Sequence, residues 1–147
     1  VTQDVDDLHE RAGLRDVMHM HGELLKKRCA NCGVISDCVS RIGIYSECEN
    51  CGHQGTMRPH IVWFGEMPLL MDEIHQKLIK ADVFISIGTS GLVYPAAGFA
   101  EEAKRHDARL IEANLVGTDL SPIFDKHLEG PATQTVPELV ESLIKEI

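Results

Sequence analysis

Four cysteines fall in two pairs, Cys29-Ala30-Asn31-Cys32 and Cys48-Glu49-Asn50-Cys51, with fifteen residues between the pairs. Two Cys-x-x-Cys knuckles at this separation can direct four thiolates at one Zn²⁺, each sulfur about 2.3 Å from the metal. Gly33 and Gly52 directly follow the knuckles, where a tight turn calls for positive φ. The competing reading is two disulfides, which would leave the fifth thiol, Cys38, unpaired. Cys38 is expected to be an ordinary small side chain in the loop. The chain opens without a charged n-region, an apolar h-region or a cleavage site. The cysteines are therefore expected to serve as metal ligands in a reducing cytoplasm.

Two histidines offer a different chemistry. His19 and His21 bracket Met20 in an apolar stretch read as a short strand, where period-two alternation puts both on one side. An imidazole with an ordinary pKa of about 6.5 accepts a proton at neutral pH. Gly22 follows and leaves room for a ligand to approach. A lone histidine is more often structural, but Gln3, Asp4 and Asp6 gather on an upstream strand-end loop and favour His21. His9, His53, His60, His75, His106 and His127 show no paired spacing for a second metal. Gly88-Thr89-Ser90 offers backbone N–H groups and two hydroxyls to a phosphate or ribose; a plain strand-to-helix turn reads the same. Asn114 could bond a ribose hydroxyl or hold its own loop, and the loop role is favoured.

Several elements must position these groups. Val1–Gln3 reads as the tail of a strand, and 6–12 as a short helix stopped by Gly13. Val17–Met20 reads as a strand, 27–57 as a zinc ribbon with little periodicity, and Ile61–Phe64 as an apolar run ended by Gly65. Beyond it, Met71–Lys80 has apolar residues at helical spacing. Asp82–Ile87 reads as a buried strand, Ala96–His106 as a helix with Pro95 at its start, and Arg109–Ala113 as a strand. Val136–Ile147 is a terminal helix with Leu139, Val140, Leu143 and Ile147 as its apolar stripe. Alternating helices and strands imply an α/β fold, a parallel sheet with helices on both faces and an inserted four-cysteine zinc-ribbon module. Ligands in such sheets sit at the carboxyl ends of strands.

The 147 residues are 44% hydrophobic and 25% charged, with a net charge of −9. The pI near 5.3 argues against nucleic acid as a partner and favours a basic peptide. No apolar run is long enough to cross a bilayer. Val1 opens the chain as the end of a strand would, so the sequence is expected to begin partway through a larger protein.

The strings TQDVDDLHERAG, HMHGELLKKRCANC, CENCG, RPHIVWFGEMP, GTSGLVYPAA and the late GPA stand in this order. Together they resemble the sirtuins, NAD-dependent protein lysine deacylases, of the bacterial CobB type (class III). The resemblance implies a partial Rossmann-like sheet, divided as 1–26 (catalytic loop and strand), 27–58 (zinc module) and 59–147 (remainder of the NAD-binding domain). It implies that His21 is the general base acting on a ribose hydroxyl, with free lysine, nicotinamide and O-acyl-ADP-ribose as products. Gln3, Asp4, Val5 and Asp6 match the segment holding nicotinamide and its ribose. Gly88, Thr89 and Ser90 match the segment beside the adenosine ribose and phosphates. Asn114, Leu115 and Val116 match the adenosine-ribose loop, and Ala132 a backbone contact to adenine. Phe64, Gly65 and Glu66, with Gly91, Leu92 and Val93, match two strands that receive the acyl-lysine peptide by β-augmentation. Cys29, Cys32, Cys48 and Cys51 match a structural zinc site.

Two departures stand out. The family motif reads TQN where this chain has Thr2-Gln3-Asp4, so an amide is replaced by a group that, once ionised, only accepts hydrogen bonds. The family's opening half, with its Gly-rich phosphate loop and acyl-reading Tyr and Arg, has no match here. The chain is therefore expected to be a carboxyl-terminal portion, weak by itself, with the missing half as a partner. A non-catalytic zinc-stabilised module that binds peptide or a partner is the alternative. A mono-ADP-ribosyltransferase on the same scaffold is a third reading.

Overall fold

The apolar runs become two three-stranded sheets in the computed structural model, which describes residues 1–146. They belong to two compact units, Val1–Ile74 and His75–Ile147. The first sheet is antiparallel, in the order β2-β1-β3, from β1 (Gly22–Cys29), β2 (Ile35–Asp37) and β3 (Met57–Ile61). The long β1 is absent from the sequence reading. Its polar string GELLKKRC lacks clean alternation, and its register shifts between Glu23 and Lys27 on β3. A shift of this kind breaks the period-two pattern that would reveal a strand.

The expected strand at Val17–Met20 shrinks to one parallel bridge between Thr2 and His19. The backbone then turns, and the Gly22 N–H donates to the His19 carbonyl at 3.1 Å. Alternation therefore does not place the two histidines. Helix α1 spans Leu8–Arg11, opened by Asp6 Oδ1 accepting from the Leu8 N–H at 3.0 Å and followed by Gly13 at φ +91°. Of the expected run Ile61–Phe64, only Ile61 lies in a strand; Trp63–Glu66 is a turn.

Helix α2 (Met71–Leu78) follows the apolar spacing, with Ile74 and Leu78 buried. The second sheet is wholly parallel, in the order β4 (Val83–Ile87), β5 (Arg109–Asn114), β6 (Lys126–Glu129). Strand β5 is central, with Leu110, Ile111, Glu112 and Ala113 all buried. Helix α3 (Phe99–Arg105), entered through Pro95 and a 3₁₀ turn at Ala96–Gly98, packs on β5, as does α4 (Ala132–Glu146).

Three sequence expectations change in this unit. Strand β4 is not buried: Val83, Ile85 and Ile87 are 37 to 49% exposed, because β5 is its only neighbour among the described residues. Strand β6, short and polar, is recognisable only through its pairing with β5. Helix α4 begins at Ala132 rather than Val136 and carries Pro137 inside it, where the ring removes one backbone bond. Its stripe is narrower than expected, since Leu139 is buried but Val140 is exposed. Ile147 lies outside the described residues. Among the described residues no helix is long and apolar enough to cross a membrane.

Candidate functional site

Both knuckles have one local design. The N–H of the following glycine returns to the first cysteine carbonyl, Gly33 to Cys29 at 2.9 Å and Gly52 to Cys48 at 2.8 Å. The glycines sit at φ +76° and +71°, as the sequence requires. The four Sγ atoms lie within 4.8 Å of one another. Cys29 and Cys51 are 3.7 Å apart, as are Cys32 and Cys48. Four sulfurs bound tetrahedrally at the usual Zn–S length stand about 3.8 Å apart, so this cluster fits zinc. A disulfide needs about 2.05 Å and is excluded. An all-cysteine set leaves no open coordination position, which marks a structural centre.

The sulfurs are also supported from outside. Asn31 Nδ2 donates to Cys51 Sγ at 3.6 Å, and Asn50 Nδ2 to Cys32 Sγ at 3.5 Å. Asparagine thus holds the same place in each knuckle and reaches the opposite one, a repeat the sequence displays but spacing alone does not interpret. Thr56 Oγ1 lies 3.2 Å from Cys29 Sγ and, with nearby backbone N–H groups, draws that thiol down to about 6. Burial pushes Cys48 up to about 11, a penalty that a bound cation would reverse. Cys38 stands apart, its thiol 3.3 Å from the Ser40 carbonyl.

In the first unit the Thr2–His19 bridge brings the upstream loop to the histidines. Thr2 N–H donates to the Met18 carbonyl and Met20 N–H to the Thr2 carbonyl, at 2.9 and 3.1 Å. His21 Nδ1 then lies 3.1 Å from the Gln3 carbonyl. A carbonyl only accepts, so Nδ1 carries the hydrogen and Nε2 keeps the lone pair of a base. Backbone bonds hold the surroundings: Val62 N–H to the His21 carbonyl at 2.8 Å, Leu69 N–H to that of Met20 at 2.8 Å, and Leu24 N–H to that of Val5 at 2.7 Å. The Asp4 N–H is taken by Thr2 Oγ1 at 3.1 Å. Gly22 serves packing rather than ligand access. Its φ is +85°, and a Cβ there would stand 2.1 Å from the His60 carbonyl oxygen.

In the second unit the loops leave the carboxyl ends of β4 and β5 as expected. Gly88 has φ +66°, with nothing near the place of a Cβ, so the backbone there is open to approach. Thr89 Oγ1 and Ser90 Oγ accept from the N–H groups of Gly91 and Leu92, each at 3.4 Å, and so brace their own turn. Asn114 holds loops: Nδ2 donates to the Thr89 carbonyl at 2.7 Å, Oδ1 accepts from Leu115 N–H, and its carbonyl accepts from Gly130 N–H. Leu115 and Val116 are exposed, and Ala132 is the first residue of α4. Buried Glu112 accepts from Thr118, Ser121 and His127 at 2.9, 2.5 and 2.8 Å and so anchors the loop beyond Val116. Burial raises its pKa, but these three donors outweigh burial and lower it overall.

Neither segment matched to a peptide-binding strand is a strand among the described residues. Phe64, Gly65 and Glu66 complete the Trp63–Glu66 turn, with Phe64 fully exposed and Gly65 at φ +87°. Gly91, Leu92 and Val93 lie in the loop after β4. Glu66 locks the turn by accepting from Arg58, from Arg28 at 3.2 Å and from Trp63 N–H at 2.9 Å. The Arg58 guanidinium also lies 3.5 Å above the Trp63 ring. Arg58, the Trp63 N–H and Arg28 together hold the Glu66 carboxyl down to about 2.

A family model described as the Sir2 family matches residues 1–95. The NAD-dependent protein deacylase of Escherichia coli (strain K12) is 53% identical over 145 residues, covering 99% of this chain and 52% of the relative. The NAD-dependent protein deacylase SIR2rp3 of Leishmania major is 51% identical over 99% of this chain and 60% of its own length. A solved Sir2 homologue–NAD complex superposes with a TM-score of 0.87 at 40% identity, covering 99% of this chain and 57% of that one. The structure of Sir2Af2 bound to a myristoylated histone peptide gives 0.77 at 33% identity, covering 99% and 66%. The chain spans about half the length of the curated relatives it matches.

Proposed function

This chain belongs to the Sir2 family, and on that premise we propose that it carries the base and the cofactor- and peptide-contacting segments of an NAD-dependent protein lysine deacylase. The observation that carries the reading is the Gln3 carbonyl fixing His21 with Nε2 as its basic nitrogen. Bound NAD would supply the ribose carbon that loses nicotinamide and the ADP-ribose that receives the acyl group. His21 Nε2 would take the proton from a ribose hydroxyl. The imidazolium keeps its orientation because Nδ1–H stays on the Gln3 carbonyl. Gln3, Asp4, Val5 and Asp6 would hold the nicotinamide end. Gly88, Thr89, Ser90, Asn114, Leu115, Val116 and Ala132 would hold the adenosine end, with Asn114 acting mainly by bracing its loops.

The turn at Phe64, Gly65 and Glu66 and the loop at Gly91, Leu92 and Val93 would meet the acyl-lysine peptide through backbone bonds. Both gain strand character only when the peptide pairs with them. Zinc on Cys29, Cys32, Cys48 and Cys51 is structural. The functional division is 1–26, 27–58 and 59–147, and thiolate ligands favour a reducing cytoplasm. Turnover by these 147 residues alone is weak, because the family's phosphate loop has no match among them. The test is calorimetry of an acyl-lysine peptide with and without NAD, paired with an assay for nicotinamide. Affinity that responds to NAD, with nicotinamide released, supports a deacylase. Affinity indifferent to NAD with no release points to a binding module.

A further inference from the structure

His19 differs from His21 in a way the family reading does not use. It is 7% exposed, and both ring nitrogens face acceptors. Nδ1 lies 3.3 Å from the Asp4 carbonyl and Nε2 lies 2.8 Å from Glu10 Oε1. A neutral imidazole has one N–H, so it can satisfy only one of these while Glu10 is ionised. Both contacts hold together when one extra proton is shared by the pair, and the Glu10 carboxyl is accordingly drawn below its ordinary range by the His19 hydrogen bond. The two histidines thus grip consecutive carbonyls: His21 that of Gln3 and His19 that of Asp4.

We propose that the His19–Glu10 pair is a proton-dependent latch that positions the Gln3–Asp4 peptide and, through it, the tautomer of His21. The proposal rests on the reading of His21 as the base. His19 is a positioning residue, since both its nitrogens are occupied and neither is free for substrate. With the shared proton in place, Asp4 and Gln3 stay aligned and Nδ1 of His21 keeps its partner. Once the proton leaves, one of the two His19 contacts must break. The latch therefore holds at lower pH and opens as pH rises, opposite in sense to the base, which must be neutral to act. Other charged or titratable groups share the cavity beside His19: Asp16, Glu23 and Lys26, the last two paired, and His60 on β3. Burial holds the His60 pKa down, so it competes little for the latch proton.

The discriminating variant is Glu10→Gln. A glutamine amide can donate to Nε2 of a neutral His19 while Nδ1–H stays on the Asp4 carbonyl, so the latch stays closed without the extra proton. Ring ¹⁵N NMR on the zinc-loaded, histidine-labelled chain reads both histidines across a pH titration. In the wild type, His21 should lose its fixed Nδ1–H tautomer over the same interval in which His19 loses its second proton. Glu10→Gln should uncouple the two, leaving His21 fixed while His19 is neutral. Glu10→Ala removes the competing acceptor, so it too should leave Nδ1–H of neutral His19 on the Asp4 carbonyl and His21 fixed across the titration. A His21 tautomer indifferent to the state of His19, or a Glu10→Gln titration identical to wild type, overturns the latch. Absence of NAD turnover in the wild-type protein carrying this sequence would instead overturn the deacylase reading, with the ring-nitrogen result still deciding the latch.

Discussion

His21, the proposed base, and Asp4 show how a side chain depends on its immediate backbone. Spacing and the TQD string point to His21, but its tautomer is set by the Gln3 carbonyl at 3.1 Å, which no local pattern reveals. Asp4 stands where the family has an asparagine and places a carboxylate beside Asp6 in the proposed cofactor segment. Asp4→Asn should raise kcat/KM for NAD; steady-state kinetics without such a gain would count against that view. Glu66 gives a pH prediction with a definite sign. Its pKa falls from 4.5 to about 2, chiefly through Arg58, so its ion pairs contribute fully above the ordinary carboxylate range. That contribution is lost as pH drops from 4.5 through about 2, and Glu66→Gln should flatten this part of a melting-temperature profile. The matched strings contain Glu66, Arg28 and Arg58, but nothing in them says that the two arginines meet Glu66.

The knuckles are readable because a Cys-x-x-Cys pair closes over a few bonds, and even the positive φ of Gly33 and Gly52 follows from sequence. Cys29→Ser should cut copurifying zinc well below one equivalent and raise hydrogen exchange across 29–51. Apparent zinc free energies in finger peptides of about 10–16 kcal/mol make chelation equally disruptive. Unchanged metal content and melting in this variant would contradict the assignment. Strands β1 and β6 escape a sequence reading because pairing with distant residues defines them. The apolar run of β4 reads as buried because sequence cannot say how many neighbours a strand has. Gly22 stands out in the sequence, but for packing and not for ligand access. Gly22→Ala should destabilise the first unit by about 2 kcal/mol or more, from strain at φ +85° and collision with the His60 carbonyl, as measured by denaturant midpoint.

Across the molecule, the family is secure, and the segments proposed to contact the cofactor occur in each of the two compact units. An acidic chain with a net charge of −9 suits a basic, lysine-bearing peptide better than a polyanion. The general α/β order can be read from alternating helical and strand periods, because those periods are local. The chemistry cannot be completed that way, because a general base needs a partner that fixes its proton. The most direct test compares wild-type protein carrying this sequence with His21→Gln, following NAD-dependent loss of the acyl group from a lysine peptide by mass spectrometry. The account predicts nicotinamide and deacylated peptide in equal amounts from the wild type. In the variant it predicts a rate lower by about 10²–10⁴, with zinc retained and melting unchanged. Deacylation that persists in His21→Gln, or that proceeds without NAD, would contradict it.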